Sequence, residues 1–431
     1  MCLRSTENDQ RPDARFRVGV LAAVALGAAV RLTCVFTDGR PFVGGDGFSY
    51  SVEALRLADG LGYTSGWGDV GQPIAHHPPA WVTLLGLVSA LGGRSLRAHQ
   101  LTTVVVGLAL IAVAGAVGRR YAGNRSGILA AFAAALYPGF WVVEANVLSE
   151  PLGLVLIGIF MLLVANLRDD PTLHRCLGVG AVCGLLALVR SEQSALLAIV
   201  VAPVLFRVPG LAPSQRISWL VGAVLAFVTV ISPWTIYNSR RFAQPVILST
   251  NSGPALLAGN CPPWTYGGEF LGYFYNGMAF DGCGWGEAKG LDRSEQSPIC
   301  IRAALHNMSA HLDRLPLVIA ARLGRTVGVY RPTQTVQLTA SWMGMGLSPI
   351  WAWVTSYLLL IPFALAGTVC LYRSNGFLLP LLGSVFVAFL VVSTFFGEPR
   401  MHTPSDLATV VLAAAGLNGL LRSRACDPPS P

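Results

Sequence analysis

The chain has 431 residues, of which 53% are hydrophobic and only 12% charged. Soluble domains carry about 25% charge, so this balance excludes an ordinary soluble protein and indicates an all-α polytopic membrane protein. The formal charge of +8 does not indicate nucleic acid, because the basic residues sit in short clusters between apolar runs, as topology determinants do.

Nearly all of the positive charge is arginine. Lys289, in a loop, is the lone lysine and the one candidate for any Schiff-base step. Among the cysteines, Cys34, Cys176, Cys183 and Cys370 fall in or beside apolar segments, where a thiol packs as a small hydrophobe. Cys261, Cys283 and Cys300 share a polar segment, and in an oxidising compartment Cys261 with Cys283 is the first choice of pair.

In chain order, a polar start with Arg4, Arg11, Arg15 and Arg17 precedes an apolar run over 18–36, long enough to span. No small-residue cleavage site follows, so the run reads as an uncleaved anchor with a cytoplasmic N-terminus. Arg31 within it either snorkels to the outer interface or faces an anionic group in a cavity. The first external loop, 37–100, carries Gly44-Gly45-Asp46-Gly47, an amphipathic run to Gly60, and His76-His77-Pro78-Pro79. Residues 80–91 are apolar but too few to span upright, so they should lie in the interface or dip in and return.

That reading fixes the parity of the rest. Further spans are expected at 101–117, 126–142, 151–167, 176–189, 194–206, 218–236, 349–372, 377–396 and 407–421, about ten in all. The chain then divides into a transmembrane core (1–236), an external region (237–348) and C-terminal transmembrane helices (349–431). Arg119, Arg120, Arg125, Arg168, Arg175, Arg207, Arg216, Arg373, Arg422 and Arg424 all fall on the cytoplasmic side, as the positive-inside rule requires. Both termini are then cytoplasmic, and the plasma membrane is the expected location. Asp46, Glu144, Glu150, Arg190, Glu192, Glu398 and Arg400 all fall on the opposite side and are expected to line one cavity. In the external region, the stretch from Asn251 to Pro263 reads as loop and turn. Residues 306–330, with Arg314, Arg322 and Arg325 among apolar residues at helical spacing, read as one interfacial amphipathic helix.

Asp46 between glycines leaves a carboxylate that a ligand can approach closely, although Gly-Asp-Gly is also a common turn. Glu150 opens an apolar span and is either functional or simply an acid favoured by the helix dipole. His76 and His77 are adjacent, which is not a metal-site spacing, and no Cys/His companion pattern argues for zinc; a hydrogen-bond donor to phosphate or sugar suits them better. Arg190 with Glu192 and Glu398 with Arg400 are either self-neutralising pairs or include arginines that grip a phosphate. There is no Walker loop, G-x-G-x-x-G or G-x-S-x-G, so ATP hydrolysis, dinucleotide chemistry and a hydrolase elbow are not indicated.

These features together resemble the GT-C superfamily. They are the anchor, Gly-Asp46-Gly-x-x-Tyr50, His-Pro-Pro before a short apolar helix, Leu-Ser-Glu150-Pro-Leu, Arg190-x-Glu192 and Pro399-Arg400. The nearest branch is the family 39-like bacterial relatives of protein O-mannosyltransferases and lipid A aminoarabinose transferases. The resemblance implies an inverting membrane glycosyltransferase, hexosyl or pentosyl, that uses a polyprenyl-phosphate-linked sugar and acts on the extracytoplasmic face. The acceptor would be a glycan, lipid or protein. By position, Asp46 would be the general base and Glu150 the second acid, with His77, Arg190, Glu192, Arg400 and Tyr50 around the donor phosphate. No cofactor follows from it, and the pattern leaves room for a divalent cation. The chain departs from the family pattern where Gly47 follows Asp46 in place of a second acid and where His77 precedes the prolines in place of lysine. A competing reading is a transporter or flippase of lipid-linked sugars, which would need charges spread through the membrane depth.

Overall fold

The computed structural model describes residues 13–426 except 41–42, 67–69, 209, 263, 275–282, 285, 289 and 375, so Arg4, Arg11 and Lys289 lie outside the described residues. Among the described residues the regular structure is helical, apart from an isolated β-bridge between Thr64 and Pro73.

Helix α1 (Ala14–Thr37) begins at Asp13, whose carboxylate accepts from the Phe16 N–H at 2.6 Å. It is followed by α2 (Gly45–Ala58) and α3 (Ala80–Ala90), which pack on each other, and then by α4 (Leu96–Leu136). The buried stripe of α1, Ala23, Gly27, Arg31 and Val35, repeats every four residues and so forms one face. That face lies against α4, and a Cβ at Gly27 would come within 2.2 Å of Ile111.

Arg31 does not snorkel. It is 1% exposed, pairs with Glu144 at 2.7 Å and donates to the Ala134 and Ala135 carbonyls. A buried apolar stripe leaves the guanidinium no route to water, so the anionic partner had to be internal.

Helix α4 reverses at Gly123, where φ is 84° and ψ 172°. Its two arms run back along each other. A Cβ at Gly127 would lie 2.6 Å from the Gly115 carbonyl, and one at Gly118 would lie 2.8 Å from Ala130. The hairpin tip carries Arg119, Arg120 and Arg125, and Arg120 pairs with Asp169 at the end of α6. Short α5 (Pro138–Ala145) follows, then α6 (Glu150–Asp169), α7 (Leu173–Val189), α8 (Ala202–Arg207) and α9 (Pro213–Ser239). The 20 residues of α6 span about 30 Å, so Glu150 stands a membrane's width from the arginine-rich end.

Six described helices are long and apolar enough to cross a membrane: α1, α4, α6, α9 and the two later helices α14 and α16. Three apolar helices, α3, α7 and α15, are shorter. The expected count of ten is therefore not what helix length gives. Two expected spans are arms of the one α4 hairpin, and the span expected at 194–206 is broken into a 3-10 turn (Ser191–Ser194), a π-helical turn (Leu197–Val201) and the six residues of α8.

The region after α9 is more ordered than its composition suggests. It contains α10 (Ser252–Gly259), where a loop was expected, then α11 (Arg293–Ala310), α12 (Leu315–Val327) and α13 (Pro332–Met343). The single amphipathic helix expected over 306–330 is instead two helices that break at His311–Arg314. Arg322 and Arg325 are fully buried rather than facing headgroups. Arg322 donates to the Ser393, Thr394 and Gly259 carbonyls at 2.6, 3.1 and 2.7 Å, and Arg325 to those of Leu271 and Glu269 at 2.8 Å each. Helical spacing of arginines among apolar residues cannot distinguish a lipid surface from a cage of carbonyls. Cys261 and Cys283 are joined as a disulfide with Cα atoms 5.0 Å apart, and Cys300 is a free buried thiol in the same small cluster.

Helices α14 (Leu347–Arg373), α15 (Leu379–Thr394) and α16 (Thr403–Cys426) close the bundle. Helices α14 and α16 cross at two glycines. A Cβ at Gly367 would lie 1.9 Å from the Leu412 carbonyl, and one at Gly416 would lie 2.0 Å from the Phe363 carbonyl. Such small-residue contacts let backbones approach where lipid supplies no hydrophobic drive. The result is a deeply buried α16, whose start carries Arg400.

The Arg31–Glu144 pair gives a direct test. Breaking a buried pair from one side strands a charge and costs about 3–5 kcal/mol. Arg31→Met or Glu144→Gln alone should therefore lower the melting temperature in detergent sharply. The double variant Arg31→Met/Glu144→Leu should recover most of the loss.

Candidate active site

Asp46 lies in the first turn of α2, not in a loop, where the helix dipole favours a carboxylate. The glycines around it serve packing. A Cβ at Gly45 would meet the Trp342 ring at 2.4 Å, and one at Gly47 would meet the Asn146 carbonyl at 1.9 Å. The backbone is thus clamped between α13 and the α5–α6 turn, and the space expected for a ligand's approach is filled by protein. One face of α2 carries Asp46, Tyr50 and Glu53 at helical spacing.

Glu150 is delivered by a strained turn. Val147 has φ 56°, a left-handed conformation that is costly for a β-branched residue. The Val147 N–H donates to the Glu144 carbonyl, and its own carbonyl accepts from Trp81 Nε1 at 2.9 Å. Arg190 follows α7 in extended backbone, and Arg400 sits on the 3-10 turn Pro399–His402 that opens α16.

These four elements meet in a chain of alternating charge. Glu192 pairs with Arg190 at 2.5 Å, Arg190 with Glu150 at 2.8 Å, Glu150 with Arg400 at 2.5 Å and Arg400 with Asp46 at 2.7 Å. His77 Nε2 stands 3.5 Å from the other Asp46 oxygen, and Tyr50 donates to Ser149 Oγ at 3.2 Å. The chain borders a cavity of about 650 Å³ lined by Asp46, Tyr50, His77, Arg190, Glu192 and Arg400 among others. Glu150 lies behind this lining, 1% exposed. Glu144 does not reach the cavity, because Arg31 holds it, so the expectation that it lines the same space is corrected. The lining also has an apolar part, with Val391 from α15, Phe395 and Phe396 just beyond it, and Ala255 and Ala258 from α10.

Burial alone would push the Asp46 carboxyl up, but Arg400 and then His77 outweigh it and hold the group well below the usual carboxylate range. Two other acids go the opposite way. Burial raises Glu53 to about 7 against the opposing charge of His77, and burial raises Glu398 to about 7 against the opposing charge of Arg400, with Asp46 and Glu150 adding to the rise. His76 is lowered to about 3 by burial and by His77.

Sequence reasoning missed several cavity residues. Trp342, Arg293 and Gln296 were not assigned to the cavity that they line, whereas Glu398 was expected there and does line it. Glu53 could have been found as the position seven residues after Asp46 on one helical face.

Asp46, His76 and His77 place one ligand atom each within 4.8 Å of one another. Arg400 holds one Asp46 oxygen at 2.7 Å while the other faces His77 Nε2 at 3.5 Å, so a guanidinium charge stands beside the three atoms and opposes a divalent cation there. The set as it stands does not fit a metal, and no step is routed through one.

Residues 76–237 match the family model of dolichyl-phosphate-mannose-protein mannosyltransferases. The match includes His77, Glu150, Arg190 and Glu192. No curated protein matches the chain by sequence. Among solved structures, the Archaeoglobus fulgidus oligosaccharyltransferase in complex with zinc and sulfate aligns over 94% of this chain and 49% of its own, with TM-score 0.55 and 13% identity. The archaeal oligosaccharyltransferase AglB from Archaeoglobus fulgidus, with an inhibitory peptide and a dolichol-phosphate, aligns over 96% and 52%, with TM-score 0.51 and 14% identity.

The chain shares the fold of these oligosaccharyltransferases. It spans about half the length of these oligosaccharyltransferases. ArnT from Cupriavidus metallidurans, bound to undecaprenyl phosphate, aligns over 93% of this chain and 79% of its own, with TM-score 0.41 and 16% identity. Asp46 and Arg400 lie outside the stretch matched by the family model, yet they contact each other across 354 positions of sequence.

The raised acids make stability depend on pH. For Glu53 the folded value of about 7 exceeds the ordinary 4.5, so its contribution is complete below about 4.5 and is lost as pH rises through about 7. Glu53→Gln removes that titration. Its stability loss between pH 5 and pH 8 should be smaller than that of the wild type by on the order of 2 kcal/mol, read from thermal unfolding across that range.

Proposed function

We propose that this chain is a membrane glycosyltransferase that takes a sugar from a polyprenyl-phosphate donor and passes it, with inversion, to an acceptor outside the cytoplasmic membrane. The observation that carries this reading is the alternating chain Glu192–Arg190–Glu150–Arg400–Asp46 beside a cavity whose lining is apolar in part. A prenyl tail favours the apolar part while its phosphate stays with the arginines, whose planar forks suit phosphate oxygens. The dolichol-phosphate on the archaeal oligosaccharyltransferase, a protein of the same fold, supports a lipid-phosphate ligand.

In the reaction, Asp46 accepts the proton of the acceptor hydroxyl as its oxygen attacks C1 from the side opposite the phosphate. Glu150 fixes both arginines, and Arg190 and Arg400 stabilise the charge that develops on the leaving phosphate. His77 and Tyr50 line the same space and orient the sugar. The arginine-rich hairpin tip, a helix length from this site, supports an extracytoplasmic active site with both termini cytoplasmic. The same reading divides the chain into a core over 1–236, an external region over 237–348 and C-terminal helices over 349–431.

A transporter or flippase reading fares worse. The cavity's charges gather at one end of the bundle, whereas a transport path needs them through its depth.

In a reconstituted assay with undecaprenyl-phosphate-linked hexose and pentose donors, Asp46→Asn should reduce turnover roughly 10²–10⁴-fold with folding intact. Glu150→Gln should reduce it about 10²-fold by misplacing both arginines. Full turnover in Asp46→Asn would remove the base role, and no transfer by the wild type from any such donor would remove the enzyme reading.

A further inference from the structure

The leaving group of the proposed reaction is a phosphate monoester, whose second ionisation lies near pH 6. If it departs without a proton it adds a full negative charge to a site that already holds three carboxylates. Asp46 and Glu150 cannot supply that proton, because each is bound to a guanidinium.

Glu398 differs from both. It lines the cavity, is 1% exposed, makes no ion pair among the described residues, and its Oε2 has no hydrogen-bond partner. It stands two residues before Arg400 on the same turn, with Pro399 between, so its carboxyl shares the neighbourhood of the arginines proposed to hold the phosphate. The charged and titratable groups around it are Arg400 and His402 on its own turn, Asp46 from α2, Glu150 from α6, Arg190 after α7, Tyr273 from the loop after α10, Asp406 from α16, and Arg322 and Arg325 from α12. Arg322 and Arg325 are engaged with backbone carbonyls, and His402 with Asp406 at 2.6 Å. None of them neutralises Glu398 directly.

We propose that Glu398 is the general acid of the site, protonating the leaving lipid phosphate and holding that proton against it in the product complex. This rests on the transferase reading above. In the step, the acceptor O–H breaks and its proton goes to Asp46, the acceptor oxygen bonds C1, and the C1–O bond to phosphate breaks with its electron pair on the phosphate oxygen. That oxygen takes the Glu398 proton. Afterwards the proton on Asp46, the more acidic beside Arg400, is released to solvent, so the product complex keeps one proton between Glu398 and the phosphate. The raised value of Glu398, about 7, is close to that of the phosphate it would serve. Two carboxyls driven apart by their surroundings, one ionised and one neutral, are the arrangement that acid and base roles require.

The test is binding of undecaprenyl phosphate to the full-length protein in nanodiscs, from pH 5.5 to 8.5. With wild type, affinity should fall about tenfold per pH unit above about 7, because one proton must stay in the complex. Glu398→Gln should lose that fall, and Glu398→Asp, which keeps an acid, should retain it with a displaced midpoint. The Asp variant also keeps the test informative if the Gln variant does not fold. A wild type that binds without the alkaline fall, or a Gln variant that keeps it, overturns the acid role alone. Absence of binding at every pH overturns the lipid-phosphate reading and this inference with it.

Discussion

The structure depends on one electrostatic constraint, the sharing of two arginines, Arg400 buried and Arg190 partly so, among three carboxylates from four separate parts of the chain. Arg400 is 4% exposed and Glu150 1%, so neither charge can be left unpaired without a large cost. Each bond in the row therefore fixes an element. Glu150 ties the start of α6 to the end of α7 through Arg190 and to the start of α16 through Arg400, and Asp46 brings in α2. Remove one member and the remaining charges must move together, because networks of this kind are not sums of pairs.

The rest of the architecture can be understood as holding those ends in register. Gly367 and Gly416 let α14 and α16 approach until backbone meets backbone, which sets where Arg400 emerges. The left-handed Val147, held by Trp81, turns the chain so that Glu150 faces the arginines. Arg322 joins the last carbonyls of α10 and α15, which contribute apolar side chains to the cavity lining. A cation at helix C-termini is favourable, and here it sets the spacing between two helices that frame the site.

Much of this was legible in the sequence because the membrane forces a parity. Once the arginine clusters are assigned to one side, Asp46, Glu150, Arg190, Glu192 and Arg400 have only the other side to occupy, and the structure brings those five together. Parity assigns a side, not a neighbour, which is why Glu144 was placed with them while it pairs with Arg31 within the bundle. Hydrophobic spacing likewise could not tell that α12 buries its arginines, or that the small-residue stretch 252–259 is a helix, since both depend on contacts with α15 that are distant in sequence. The reversal at Gly123 was legible, since Arg119, Arg120 and Arg125 mark a turn between the spans expected at 101–117 and 126–142.

The row of charge also limits how an anion could be accommodated. Three carboxylates against two guanidiniums leave the row one charge negative before any ligand arrives, so the arginines are not open cations waiting for phosphate. An incoming phosphate must either displace a carboxylate or arrive where another acid is neutral. Glu192 is 23% exposed and can swing to solvent, freeing one edge of Arg190. Glu398, buried and without an ion-pair partner, can be neutral near pH 7. With Glu192 displaced and Glu398 protonated, two guanidiniums face Asp46, Glu150 and the phosphate. In the proposed transfer, the excess negative charge would be carried by groups that gain most when C1 becomes positive in the transition state, so a field uncomfortable for a resting phosphate would favour the moment of transfer.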